Sequence, residues 1–228
     1  MAGNKRIIIA IDGPAGAGKS TVARRVAERL GFLYIDTGAM YRAVALWALR
    51  AGVDLGDAHR LEQLAREAHI ELFPGGSRVL LNGEDVTEAI RTAEVAQAAS
   101  KVSAVPGVRR ALLDKQRAFG ATASVVMEGR DIGSVVFPEA DIKIFLDADP
   151  AVRAERRLRD LRHAGQSAAP EEVLREIGER DRRDRNRAEA PLVQAPDAVY
   201  IDSSRMTVEQ VEEAILKLVR ERTSNGKA

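Results

Sequence analysis

The chain of 228 residues contains no cysteine. Disulfides, thiolate zinc sites and a cysteine nucleophile are therefore excluded. Aromatic residues are scarce at 4%, with one Trp, three Tyr and five Phe. Stacking platforms of the kind that hold single-stranded nucleic acid are in short supply. The three histidines, His59, His69 and His163, are scattered and read as solvated or packing residues rather than metal ligands. Net charge is +1, from 35 basic and 34 acidic residues, so no global field draws the chain to nucleic acid or membrane. No apolar run approaches membrane-spanning length. The N-terminal run Ile7–Ile11 ends in Asp12, too short for a signal peptide, and a cytoplasmic location is expected. With 45% hydrophobic and 30% charged residues, the length suits one domain with a sizeable core and room for inserts.

What is present is a phosphate loop. Ile7-Ile8-Ile9-Ala10-Ile11-Asp12 reads as a buried strand, and Gly13-Pro14-Ala15-Gly16-Ala17-Gly18-Lys19-Ser20 follows at once as G-x-x-x-x-G-K-S. A helical pattern runs from Thr21 to Leu30. Glycines let successive backbone N–H groups turn inward around a phosphate, where a Cβ would collide. The helix aims its positive end at the same anion. Lys19 can bridge β- and γ-phosphates, and the Ser20 hydroxyl can ligate Mg²⁺. Gly13 through Thr21 are thus the expected ATP contacts.

Short apolar strands alternate with longer helical patterns, which predicts an α/β fold with a five-stranded parallel sheet flanked by helices. The candidate strands are Arg6–Ile11, Phe32–Ile35, Ser124–Met127, Ile142–Leu146 and Ala198–Ile201. Each is followed by a carboxylate: Asp12, Asp36, Glu128, Asp147 and Asp202. Strand C-termini are where such sheets place their ligands. Asp147 and Asp202 are also well suited to capping turns.

Two stretches break the alternation. Ile70–Phe73, Arg78–Leu81 and Glu84–Val86, separated by Pro74-Gly75-Gly76 and Asn82-Gly83, predict a small antiparallel insert, too small for its own core. It is a candidate substrate-binding arm. Helical patterns follow at Glu94–Ser103 and Val105–Phe119. The second stretch, Arg153 to Arg187, holds eleven arginines and eight acidic residues. Arg180, Arg183, Asp184 and Arg187 share one helix face, as do Arg153, Arg156, Arg157 and Asp160. Guanidinium forks match phosphate oxygens bidentately. Such faces suit a clamp on polyphosphate, and equally suit solvated helices laced with intrahelical ion pairs. Gly165–Pro170 reads as a turn between the two helices, so the whole predicts a hinged helical lid. The tail after Thr223 is expected to fray.

Several motifs recur together in a recognisable order: Ile11-Asp12-Gly13-Pro14 with Gly16-Ala17-Gly18-Lys19-Ser20; Asp36-Thr37-Gly38-Ala39-Met40-Tyr41-Arg42; Ile90-Arg91-Thr92; Gly129-Arg130-Asp131-Ile132-Gly133; Val135-Val136-Phe137-Pro138; Lys143 to Ala148; and Glu179-Arg180-Asp181 through Asp184-Arg185-Asn186-Arg187. Together they resemble the bacterial cytidylate kinase (CMP kinase) family along nearly the whole chain. Two positions depart from its commoner pattern: Ser134 where Thr is usual, and Glu128 where some members carry Asp.

The resemblance implies one P-loop kinase domain over residues 1–228, with a monophosphate-binding insert near 62–92 and a lid near 153–187. It implies transfer of the ATP γ-phosphate to CMP or dCMP. Carried over by motif, Ser100, Arg109 and Asp131 contact cytosine. Thr37, Tyr41, Arg42 and Arg130 hold the acceptor side, and Arg180, Asp184 and Arg187 hold sugar and phosphate. Lys19 with Arg153, Arg156 and Arg157 would stabilise the transferring group. Ser20 would ligate Mg²⁺ directly, with Asp36 and Glu128 acting through water. The expected partners are ATP and CMP or dCMP, with no nucleic acid and no membrane, and the chain acting as a monomer. The attacking phosphate oxygen is already ionised at neutral pH, so no strong general base is needed. Two alternatives stay open on the residues themselves: a small P-loop kinase with another acceptor, and a non-catalytic nucleotide switch or RNA-binding module. The interleaved acids disfavour RNA.

Overall fold

A computed structural model of the chain describes residues 6–163 and 165–225. Along the chain come β1 (Ile8–Asp12), α1 (Lys19–Leu30), β2 (Leu33–Asp36), α2 (Thr37–Arg50) and α3 (Ala58–Glu67). Then follow β3 (Ile70–Leu72), β4 (Val79–Leu81), β5 (Glu84–Asp85), α4 (Ala93–Val102), α5 (Pro106–Thr122) and β6 (Val125–Gly129). The last part holds β7 (Ile142–Asp147), α6 (Pro150–His163), α7 (Pro170–Asn186), β8 (Val199–Asp202) and α8 (Val208–Asn225).

The main sheet has the order β2-β6-β1-β7-β8 and is parallel throughout. β1 lies at its centre, with Ile9 paired to Val126 on one side and Ile142 on the other. Helices cover both faces, so Ile9, Ala10 and Ile11 are all buried. That is why this strand reads as an unbroken apolar run rather than an alternation. The chain leaves β1 for β2, two strands away, and returns beyond β1 to β7. This reversal of strand order opens a crevice at the C-terminal end of β1, where the phosphate loop begins.

All five expected core strands are present, displaced by one or two residues. β1 starts at Ile8 rather than Arg6, and the strands extend to include Asp12, Asp36, Glu128, Asp147 and Asp202. Asp147 and Asp202 do what turn carboxylates do: they accept from Ala148 N–H and from Ser204 N–H.

The expected antiparallel insert forms as β3-β4-β5, with Ile70 opposite Leu81 and Leu80 opposite Asp85. Its apolar residues Val79, Leu81 and Val86 join one cluster with Met40, Val44, Leu61, Leu64, Ile90, Val95, Val108 and Leu112. The small sheet therefore has no core of its own; helices α2 to α5 supply it. A separate cluster unites α1 with α8, through Val22, Val26, Val211, Ile215 and Val219, beneath the main sheet. The helical pair α6 and α7 packs on a small third patch, Ala154, Val173 and Ile177, flanked by Leu158 and Leu161. α8 runs past Thr223 to Asn225, and the last three residues lie outside the described residues.

Candidate active site

The phosphate loop turns on glycine geometry. Gly13 has φ +148°, and a Cβ there would sit 1.9 Å from the Leu146 carbonyl oxygen of β7. Any side chain would push the loop off the sheet. Gly16 (φ +77°) lies against Arg153, with room for a Cβ only 3.1 Å from that residue's own Cβ. Helix α1 starts at Lys19, two residues earlier than its apolar pattern suggests. Lys19 is buried and its Nζ donates to Pro14 O at 2.7 Å, folded back onto the loop. Burial, with Arg130 nearby, lowers its pKa to about 7. Ser20 and Thr21 are exposed at the mouth.

Glu128, on β6, faces the loop. Its carboxylate accepts from Tyr34 OH at 2.7 Å, and the Ser20 hydroxyl lies close by. Burial raises its pKa, and the neighbouring Asp36 raises it further. Two carboxylates and a hydroxyl thus converge beside the loop, a hard oxygen donor set suited to a small divalent cation that keeps several waters and takes phosphate oxygens. Among the described residues there is no group of three or more His, Cys, Asp or Glu that could cage a metal. Asp36 is partly committed elsewhere. Its Oδ1 caps α2 through Ala39 N–H, and its Oδ2 accepts from Arg42 at 2.7 Å. Burial pushes the Asp36 carboxyl up, but the Arg42 guanidinium outweighs this and holds it below its usual range.

Around the crevice the described structure brings most of the expected acceptor residues together. Thr37 donates to the Glu128 carbonyl at 2.8 Å. Tyr41 lies under the Arg109 guanidinium at 5.3 Å, a cation–π contact. Asp131 accepts from Arg109 Nη2 at 2.5 Å and faces Arg187 Nη2 at 3.5 Å. All three side chains are less than a tenth exposed. Ser100 is buried and accepts from Arg183 Nε at 3.1 Å. Asp184 accepts from Arg130 Nε at 2.9 Å. Burial alone would raise the Asp184 pKa, yet Arg130 and Arg180 hold it down.

Arg180 is different. It makes no hydrogen bond or ion pair among the described residues, and its Nε is buried without a partner. Burial lowers its pKa to about 10, and Arg130, Arg42 and Arg157 reinforce this against the pull of Asp184. Four arginines thus crowd one place with too few carboxylates to neutralise them. A half-buried, under-paired cation of this kind is costly unless a ligand supplies the counter-charge.

Three of the five arginines of α6, Arg153, Arg156 and Arg157, have different surroundings. Arg153 is only 2% exposed. Each of its nitrogens donates to a protein oxygen: Ala148 O, Ala15 O and Asp181 Oδ2. Arg156 donates to Ala17 O and to Ser203. Both donate to carbonyls of the phosphate loop. Arg157 lies within electrostatic reach of Arg180. Sequence reading overlooked three participants. Asp181 is buried on the inner face of α7, three residues before Asp184, and that spacing was a usable signal. Tyr34 and Ser203 carry no such signal, because their roles come from contacts across the fold.

A glycine-rich loop joining the central parallel strand to a helix that starts with a buried lysine, at a sheet's switch point, defines a P-loop nucleotide-binding kinase fold. The cytidylate kinase family model matches residues 9–221. The chain belongs to the cytidylate kinase family. It is 62% identical to the cytidylate kinase of Solibacter usitatus (strain Ellin6076), covering 98% of this chain and 96% of that one. It is 54% identical to the cytidylate kinase of Pelotomaculum thermopropionicum, covering 96% of each. Among solved structures, an uncharacterized protein from Eubacterium ventriosum shares the fold with a TM-score of 0.53 at 14% identity, over 95% of this chain and 99% of that one.

Proposed function

We propose that the chain transfers the γ-phosphate of ATP to CMP or dCMP, giving CDP or dCDP. Membership of the family supports the activity. The observation that carries the site assignment is the unpaired Arg180 within Arg42, Arg130 and Arg157, beside Lys19. It makes a second anion hole next to the phosphate loop, as two phosphorylated substrates meeting end to end require.

The donor binds along Gly13–Thr21, its β- and γ-phosphates met by backbone N–H groups and Lys19. Lys19 swings from Pro14 O onto the phosphates, and their charge restores its proton against the depressed pKa. Arg42, Arg130 and Arg180 hold the acceptor phosphate, and Arg157 reaches the group in transit. Asp184 and Arg187 face the sugar. Asp131, Arg109 and Ser100 line the base pocket, with Tyr41 beneath Arg109 and Thr37 tying α2 to β6. Ser20 and Glu128 would hold Mg²⁺, with Asp36 behind them, and the ion when bound draws negative charge off the β- and γ-phosphate oxygens. Arg153 and Arg156 hold the phosphate loop through its carbonyls; the charge on the transferring phosphoryl is left to Lys19, Arg157 and Arg180. Catalysis is then alignment plus charge neutralisation.

In this reading the arm near residues 62–92 and the lid near 153–187 close over the substrates, excluding water. The thin apolar patch under α6 and α7 is consistent with a unit that moves as one piece. No helix among the described residues is long and apolar enough to cross a membrane, and a cytoplasmic monomer using ATP and CMP or dCMP is the proposed setting. The test is ADP release with MgATP across CMP, dCMP, UMP, AMP, GMP and small hydroxy acids. CMP and dCMP should lead. Leading activity with a hydroxy acid or a purine monophosphate would overturn the assignment.

A further inference from the structure

Asp12, the last residue of β1, takes no part in the roles above. It is 4% exposed. Its Oδ1 accepts from Ile132 N–H and its Oδ2 from Gly133 N–H, both at 2.7 Å. Those two amides open a tight turn over Ile132–Val136, directly after Arg130 and Asp131. The Asp131 carbonyl closes the same turn by accepting from Val135 and Val136 N–H. On the other side, the residue after Asp12 is Gly13, whose seat against Leu146 O starts the phosphate loop. The backbone of Asp12 is paired to Gly129 on β6 and Phe145 on β7. β6 ends at Gly129, so beyond that point the sheet no longer guides the segment bearing Arg130 and Asp131. Their side chains are held by Asp184, Arg109 and Arg187, and the main chain that follows is held by the Asp12 carboxylate.

We propose that Asp12 is the positioning residue that sets the register between the two substrates, holding the Arg130-Asp131 segment at a fixed distance from the phosphate loop. The inference rests on the phosphotransferase reading of the site. One residue anchors both halves: its main chain starts the donor loop and its side chain grips the acceptor segment. A carboxylate suits this because two oxygens meet two N–H donors. An asparagine has one oxygen, and its amide N–H₂ would face the second donor. Its shape would fit, but the grip would be halved. Transfer needs the reacting atoms within about 3–3.5 Å and aligned, and a displacement of about 1 Å costs roughly a hundredfold in rate. Neither substrate needs that register in order to bind alone.

The experiment compares wild type, Asp12→Asn and Asp12→Glu, the last keeping the charge but moving it out by one methylene. A wild type that turns over CMP first establishes the underlying reading. For each protein, kcat per folded molecule and both KM values are measured with MgATP and CMP. The shifts in Tm caused by MgATP alone and by CMP alone are measured beside them. Asp12→Asn should lose roughly ten- to hundredfold in kcat, with KM values within about threefold and both Tm shifts retained. Asp12→Glu should lose turnover likewise, and it carries the test should Asp12→Asn not fold. Wild-type kcat in either folded variant would overturn the proposal, leaving the carboxylate a role in stability alone. Loss of the MgATP shift would overturn it too, since Asp12 would then be shaping only the donor loop.

Discussion

Replacing Asp131 separates two things a buried carboxylate can do here. It stands between Arg109 and Arg187, at 2.5 Å and 3.5 Å, and all three are nearly inaccessible to water. Asp131→Ala strands two buried guanidinium groups, and breaking a buried pair from one side costs about 3–5 kcal/mol. For a chain of this size that is a fall in Tm on the order of 10 °C. Asp131→Asn keeps the volume and one acceptor, so its loss should be about 1–3 kcal/mol. The functional effect is separate. Cytosine presents an amino donor at N4, which a carboxylate accepts; uracil presents an O4 acceptor, which a carboxylate repels. A contact of that type discriminates by about 1–3 kcal/mol, or roughly fivefold to 150-fold. In Asp131→Asn the amide N–H₂ can face O4, so the CMP/UMP ratio of kcat/KM should shrink by that factor. Thermal unfolding and steady-state ADP release with both acceptors decide the matter. A lower Tm with an unchanged CMP/UMP ratio would refute base reading by Asp131 and reduce it to a support for the two arginines.

Lys19→Ala should lower kcat roughly 10²–10³-fold while the protein stays folded; near-normal turnover would remove Lys19 from the phosphate site. The same residue links stability to pH. Folding lowers its pKa from 10.5 to about 7, so between those values the unfolded chain binds more protons. The ligand-free protein should therefore gain stability as pH rises above 7. Chemical denaturation of Lys19→Ala should show a flatter profile, and a slope equal to wild type would deny the depressed pKa. Asp184→Ala leaves Arg130 without its carboxylate, and should worsen kcat/KM for CMP by tens of fold, the scale of a lost charge-assisted hydrogen bond of about 1.5–3 kcal/mol; unchanged kinetics with both CMP and dCMP would take it out of the sugar site. ATP with CMP should protect residues 70–86 and 153–187 from hydrogen exchange more than the core strands, and uniform protection would argue against a closing arm and lid.

Much of this was legible in the amino-acid order, for a physical reason. The strand, loop and helix around Gly13–Ser20 are specified locally: apolar β-branched residues for a strand covered on both faces, glycines where φ is positive, a lysine at the helix start. The five core strands show as short apolar runs because a parallel sheet buries both faces. The small antiparallel sheet shows through Pro74-Gly75-Gly76 and Asn82-Gly83. Helical periodicity puts Arg180 and Asp184 on one face before any fold is known.

Other features depend on neighbours far along the chain. Helical spacing treats Arg153, Arg156 and Arg157 as equals. The packing of α6 against the phosphate loop turns the first two onto Ala15, Ala17 and Ala148 carbonyls and leaves Arg157 within electrostatic reach of Arg180. Asp36 and Glu128 look alike as strand-end acids, yet one is tied to Arg42 and the other to Tyr34. Asp12 reads only as one more acid after a strand, and its two backbone partners lie 120 and 121 residues away. Local order determines which elements form and which residue types carry charge. Only the tertiary structure decides which charges are neutralised within the protein and which, like Arg180, are left without a counter-charge, because pairing depends on distance and burial rather than on position in the chain.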